Sequence, residues 1–250
     1  MRRSEFHKLF KSPGPVVMPV IHVLDAAQAE RNVRLAVAAG AAGVFLINHD
    51  FSYPQFLPMV RHVRERFPGL FLGVNFLAVT GLHAFPVLGT LQAEGIPVDA
   101  YWADDACINE HEPAHTQTQA GAIARARADS GWTGLYLGGT CFKKQREVAP
   151  EHYATSAQIA TGYMDVVCTS GVATGHAADA GKIQTFRAAI GDAPLALASG
   201  ITPDNALTYA ADVDCFMVAT GINPPGDFYN IAPQRLEQLL TITRNFGAQA

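Results

Sequence analysis

Seven residues in the last third of the chain have the types and spacing of an anion cradle. They are Gly171, Thr174 and Gly175, then Ser199 and Gly200, then Thr220 and Gly221. Glycines let a ligand come close to the backbone, and hydroxyls and free N–H groups donate to anionic oxygens. Each set closes a short apolar run, as in Leu195-Ala-Leu-Ala-Ser-Gly200 and Cys215-Phe-Met-Val-Ala-Thr-Gly221. Gly200 is expected to lead into a helix start, with Thr202 as N-cap, Pro203 in the first helical position and Asp204 in the first turn. Such a start attracts phosphate. Tight turns alone would use the same glycines. If the cradle binds an anion, Gly200→Asp is expected to abolish binding and leave the fold intact.

A second group of residues could titrate or orient a substrate. His22 follows Pro19-Val-Ile and is either an acid/base near neutral pH or a core histidine bonded to a neighbouring strand. Asp50 and Asp104 are candidates for general base, for Mg²⁺ ligand, or for caps of the loops that follow. Asn75 and Asn48 suit substrate hydroxyls. Lys143, with Lys144 beside it, offers a phosphate contact, a solvated loop cation or, with a lowered pKa, a Schiff-base amine. His176 and Asp179 end the loop Thr169-Ser-Gly-Val-Ala-Thr-Gly-His-Ala-Ala-Asp179, which either closes over a substrate or moves without touching one. His111-Glu-Pro-Ala-His115 has the H-E-x-x-H pattern, but Pro113 stands where a helix would need an N–H, so no metal is assigned there.

Positioning these residues requires strand ends gathered in one place. Eight short apolar runs alternate with helical segments: strands over 16–22, 44–48, 70–76, 98–103, 134–141, 165–169, 195–199 and 215–219. Helices are expected over 26–39, 53–66, 82–94 (interrupted by Pro86 and Gly89), 115–130, 150–161, 178–190, 203–211 and 233–246. Strict alternation implies parallel pairing, and eight units allow the sheet to close into a (β/α)8 TIM barrel. A doubly wound open sheet would carry a glycine-rich first turn, where this chain has Val23-Leu-Asp-Ala26. One domain over 1–250 is expected, with residues 1–14 as an N-terminal arm or short helix. In this fold the strands' C-terminal ends carry the chemistry, and here they read His22, Asn48 with Asp50, Asn75, Asp104 with Asp105, Thr140 with Lys143, Thr169 with Ser170, Ser199 and Thr220.

Composition narrows the partners. Of 250 residues 49% are hydrophobic and 16% charged, and a net charge of −4 without a basic run argues against nucleic acid. The four cysteines, at 107, 141, 168 and 215, are widely spaced and three lie in apolar runs, which points to a reducing compartment. No leader and no membrane-spanning run is visible, so a cytoplasmic location without membrane insertion is expected. The expected partner is a small phosphorylated molecule, with Mg²⁺ the one cofactor the carboxylates would admit; a homo-oligomer is compatible with the sequence.

With these segments placed, the chain resembles the BtpA family of barrel proteins. The residues that carry the resemblance are Gly73-Val-Asn-Phe-Leu77, Thr169 to Gly175, Ala198-Ser-Gly-Ile-Thr-Pro-Asp-Asn205 and Val218-Ala-Thr-Gly221, densest over 165–235. Asn48 to Asp50 and Lys143 or Lys144 fall near family-typical positions, while Val23-Leu-Asp-Ala-Ala-Gln28 replaces the family's proline-rich first loop. Strands seven and eight are also similar to those of phosphoribosylanthranilate isomerase. The resemblance implies a phosphate-binding barrel acting on a sugar phosphate or phosphoribosyl compound by isomerase, lyase or phosphoribosyl-transfer chemistry. Because the family's namesake is tied to photosystem I biogenesis, it also implies an alternative: a non-catalytic assembly factor or metabolite sensor.

Overall fold

The computed structural model describes residues 1–249. Eight parallel strands, β1 (Val16–Val23), β2 (Gly43–Asn48), β3 (Phe71–Asn75), β4 (Ala100–Ala103), β5 (Leu135–Gly139), β6 (Val166–Ser170), β7 (Leu195–Ala198) and β8 (Cys215–Val218), pair in chain order. The barrel closes where Val16 to Pro19 of β1 pair with Cys215 to Val218 of β8. Helix α1 (Arg3–Phe10) precedes β1. The helices α2 (Ala26–Ala38), α3 (Tyr53–Arg66), α4 (Gly81–Ala93), α5 (Thr118–Ser130), α6 (Tyr153–Ala160), α7 (Ala180–Ile190), α8 (Ala206–Tyr209) and α9 (Pro233–Gln249) follow β1 to β8 in turn.

Side-chain alternation along each strand sorts the chain into two cores. Val17, Ile21, Leu46, Val74, Tyr101 and Phe216 face the helices. Val16, Met18, Phe45, Trp102, Leu137, Cys168 and Met217 fill the barrel, and Phe6 of α1 joins them. Helix α1 thus plugs the end from which the strands start. Gly73 leaves the space that Phe45 occupies: a Cβ there would meet the Phe45 ring.

The lower end is held by a device that recurs at every second unit. Asp99, Asp165 and Asp214 directly precede β4, β6 and β8. Each bonds one residue of the preceding strand twice: Asp99 with Leu72, Asp165 with Tyr136 and Asp214 with Leu195, backbone N–H to carbonyl in one direction and backbone N–H to carboxylate in the other. An arginine from the helix that leads into the first strand of each pair closes the carboxylate: Arg64 of α3 at 2.5 Å, Arg127 of α5 at 2.5 Å and Arg187 of α7 at 3.1 Å.

Several expectations need correcting. Helix α4 is continuous through Pro86 and Gly89. Proline removes one hydrogen bond, but Phe85, Leu88 and Leu91 bury the helix face, and Gly89 gives room to the Ser130 carbonyl of α5. The helix expected over 203–211 shrinks to the four residues of α8. Thr202 is not its cap: Asn205 accepts the Thr202 N–H at 2.8 Å and donates to the Gly200 carbonyl at 2.7 Å, folding 202–205 into a turn. Strands β5 and β7 end early because Cys141 and Ser199 have φ of +48° and +111°, outside the extended region. The helices expected from 115 and 150 begin as short 3₁₀ turns over Ala114–Thr116 and Pro150–His152.

Candidate active site

The loops after β6, β7 and β8 pack backbone against backbone. Gly171 and Gly200 both abut the His176 carbonyl, and Gly221 abuts the Ile201 carbonyl; a Cβ at any of the three would run into main chain. Gly200 (φ +69°) and Gly175 (φ +78°) are also left-handed. Gly200→Asp therefore cannot leave the fold intact, contrary to the expectation from sequence. Ser199 accepts the Gly171 N–H at 3.3 Å. Asp179, expected near a substrate, instead caps α7 by accepting the Lys182 N–H at 2.8 Å.

These loops form one wall of a small, partly open cavity with about 40 Å³ of free space at the strands' C-terminal ends. Thr174, Gly175, Ser199, Gly200, Thr220 and Gly221 line it, together with His22, Trp102 and Lys143. Gly171 lies behind this lining and serves loop packing. The buried Gly200 N–H has no partner among the described residues, nor do those of Thr174 and Gly175. Because α8 is only four residues long, no helix start contributes here; the free donors are those of the loops themselves.

Strand parity decides which polar strand ends face inward. Asn48 follows the inward Ile47 and so turns away: it donates to the Phe51 carbonyl at 2.7 Å and accepts the Leu77 N–H at 3.1 Å. It ties two loops together, with both ends of its amide engaged on the side away from the barrel interior. Thr140 and Thr169 also turn outward, Thr140 to Ser156 at 2.6 Å and Thr169 to the Thr140 carbonyl at 3.1 Å. His22, Asn75 and Asp104 share the inward parity of Met18, Phe71 and Trp102.

His22 is 5% exposed, stacks on Phe228 at 3.8 Å and meets His49 edge-on at 4.7 Å. Its Nδ1 lies 2.8 Å from the Phe228 carbonyl, which can only accept, so Nδ1 carries the proton and Nε2 the lone pair. Burial, against the pull of that hydrogen bond, takes its pKa down to about 4, so the ring is neutral at pH 7. Asn75 donates to Asp104 at 3.0 Å. Burial pushes the Asp104 carboxyl above its usual range, with Asn75 and Lys143 opposing. Burial lowers the Lys143 ammonium, with Asp104 opposing, and that ammonium has no hydrogen-bonded or ion-pair partner among the described residues. Lys144 is exposed. Asp50 stands on the rim, exposed, and accepts the Tyr229 hydroxyl at 3.1 Å; it does not line the cavity.

Several residues here lack a local sequence signal. Phe228 and Tyr229 come from the loop after β8, tied down by Gln28 and Asn32, which donate to the Tyr229 carbonyl at 2.7 and 2.9 Å. Lys182 of α7 donates to the carbonyls of Cys141 (2.5 Å) and Ser170 (2.8 Å), joining the ends of two strands behind the site. Trp102 was findable, because its parity on β4 places it inside. His111 and His115 are both exposed on a loop and its 3₁₀ turn, and no cluster of three metal-binding side chains occurs among the described residues. No helix among them is long and apolar enough to cross a membrane.

No protein-family model matches the sequence, and no curated protein does. Solved structures do match in fold. The tryptophan synthase alpha chain from Legionella pneumophila subsp. pneumophila aligns over 99% of each chain, with 18% identity and a TM-score of 0.64. A native KDPGal structure aligns over 94% of this chain and 96% of its own, with 11% identity and a TM-score of 0.62. The phosphoribosyl anthranilate isomerase from Thermus thermophilus aligns over 90% and 96%, with 17% identity and a TM-score of 0.57. At these identities the likeness establishes the fold, a (β/α)8 barrel.

Proposed function

We propose that this chain is an enzyme acting on a small phosphorylated compound, a sugar phosphate or phosphoribosyl ester, by isomerase, lyase or phosphoribosyl-transfer chemistry. The observation that carries the reading is a single cavity walled on one side by unpartnered backbone donors and on the other by an unpaired, desolvated lysine. Phosphate would sit against Gly175, Gly200 and Gly221, with Thr174, Ser199 and Thr220 donating and Lys143 neutralising charge. The name of one fold neighbour, phosphoribosyl anthranilate isomerase, carries a phosphoribosyl group of the same kind. Three of the four segments that resemble the BtpA family, 169–175, 198–205 and 218–221, supply the cavity's glycine wall. Nothing in the site favours an assembly factor over an enzyme.

Within the cavity the roles divide by protonation. A histidine of pKa about 4 is a weak base at neutral pH, so His22 accepts a hydrogen bond from a substrate hydroxyl rather than its proton. Asp104 and Lys143 are moved by burial in opposite directions, the carboxyl up and the ammonium down, which brings both toward neutral pH and suits them to proton transfer. Asn75 holds Asp104 in place.

Thermal unfolding against inorganic phosphate, sugar phosphates and phosphoribosyl compounds, with and without Mg²⁺, tests this directly. A ligand at 100 times its Kd adds about 2.7 kcal/mol. For a chain of this length that raises the midpoint by about 5–10 °C. Asp104→Asn should keep the shift and lose turnover of whichever compound produces it. A flat panel, with phosphate itself inert, would refute the reading.

A further inference from the structure

One polar atom of a residue that lines the cavity has no role in the scheme above. Trp102 is 4% exposed, and its indole Nε1–H has no hydrogen-bond partner among the described residues. Buried donors are nearly always paired, so an unpaired one calls for an explanation. It is not a stray atom in a slack core. Phe45 meets the indole edge-on at 6.1 Å and Phe142 at a tilt at 6.0 Å, so the ring is held inside the barrel. The same residue lines the cavity that Lys143 and His22 line.

The remaining polar groups restrict what could meet that N–H. The His22 Nε2 is an acceptor whose other nitrogen is committed to the Phe228 carbonyl, so it serves a donor on the ligand. Trp102 Nε1–H can only donate. With about 40 Å³ of free space inside its mouth the cavity is narrow, which favours a short ligand. An acceptor arriving at Trp102 displaces no existing partner. The bond therefore returns more of its gross strength than an exchange between partners would.

We propose that Trp102 is a specificity-determining residue whose Nε1–H receives a carbonyl or carboxylate oxygen of the ligand, so that the cavity selects a short phosphate ester carrying such an oxygen over one that lacks it. This rests on the proposed phosphate-ester site, and the test separates the two. Dihydroxyacetone phosphate and 3-hydroxypropyl phosphate, in which CH₂ replaces the carbonyl, are titrated calorimetrically into the wild-type chain and into Trp102→Phe, with inorganic phosphate as the reference ligand. Phenylalanine keeps the ring against Phe45 and Phe142 and removes the N–H.

The wild type should prefer the carbonyl ester by about tenfold or more. Trp102→Phe should bring the two esters to within about threefold while still binding phosphate. Equal affinities in the wild type would overturn the inference even if the variant fails to fold. A preference retained in Trp102→Phe would also overturn it, because another group would then be reading the carbonyl. Loss of both esters in equal measure would make Trp102 a packing residue. Phosphate that does not bind the wild type would remove the underlying site and this inference with it.

Discussion

The two ends of the barrel use the same residue types to opposite effect. At the lower end Asp214, with a side chain fully out of water, accepts from Arg3 and His7 at 2.8 Å, from Arg187 at 3.1 Å and from the Leu195 N–H at 2.9 Å. Burial alone would raise its pKa, but hydrogen bonds from His7, the Leu195 backbone and Arg3 outweigh it and hold the carboxyl below its usual range. At the upper end Asp104 has one amide partner, Lys143 none, and the Trp102 indole none. A buried charge whose partners are all present is closed and contributes to the fold. A buried charge left open costs stability, and such groups gather where a ligand supplies the missing partner.

Variants that exchange these roles would break the comparison. The largest effect expected is on stability at the lower end. Asp214→Ala leaves Arg187 and Arg3 without their carboxylate and should cost about 3–5 kcal/mol in urea unfolding, without altering ligand affinity in the fraction that stays folded. Asp99 and Asp165, which repeat the device with more exposed carboxylates, should cost less.

Acid titration of stability should show two limbs, one from each end. The His22 pKa falls from its ordinary 6.5 to about 4, so between those values the unfolded chain binds more protons than the folded one. Its contribution, at most about 3 kcal/mol, is complete above pH 6.5 and is lost as the pH falls toward 4. Asp214 is depressed below an ordinary 3.8, so its contribution is present above that value and is lost only as the pH falls through its lower, folded value. His22→Gln should flatten the first limb and Asp214→Asn the second; a single limb unmoved by either would refute the assignment.

Lys143→Met should do the reverse of Asp214→Ala. Removing an unpaired desolvated cation should leave the unfolding midpoint unchanged or raise it, while phosphate-ester affinity falls about 10- to 100-fold, the loss of one charged hydrogen bond. Smallest of all is Thr220→Val, which removes one neutral donor from the glycine wall. A two- to tenfold loss of affinity is expected, of order 1 kcal/mol.

The barrel was legible because its evidence is local and repeated. Eight apolar runs separated by helical segments say the same thing eight times, and strand parity follows from any one inward residue. Parity also separates His22 and Asp104 from Asn48, a distinction a plain reading of strand ends misses. The glycine wall was legible in its residues but not in its cause, since a turn at 202–205 stands where a helix start was expected. Contacts between distant segments left no local trace. Phe228 reaches back 206 residues to His22, and Arg3 and His7 reach 211 and 207 residues to Asp214. The lower-end aspartates were visible only as ordinary residues before strands, because nothing in their immediate surroundings names the helix arginine that closes each.

The central claim is that the upper end is an anion site built from the loops after β6, β7 and β8. Titrating inorganic phosphate into the ¹⁵N-labelled chain and following the backbone amides tests it most directly, because weak binding still maps. The account predicts saturable shifts confined to Thr174 and Gly175, Ser199 to Ile201, and Thr220 and Gly221, and strongly weakened in Lys143→Met. Shifts centred elsewhere on the molecule, or none at all, would contradict it.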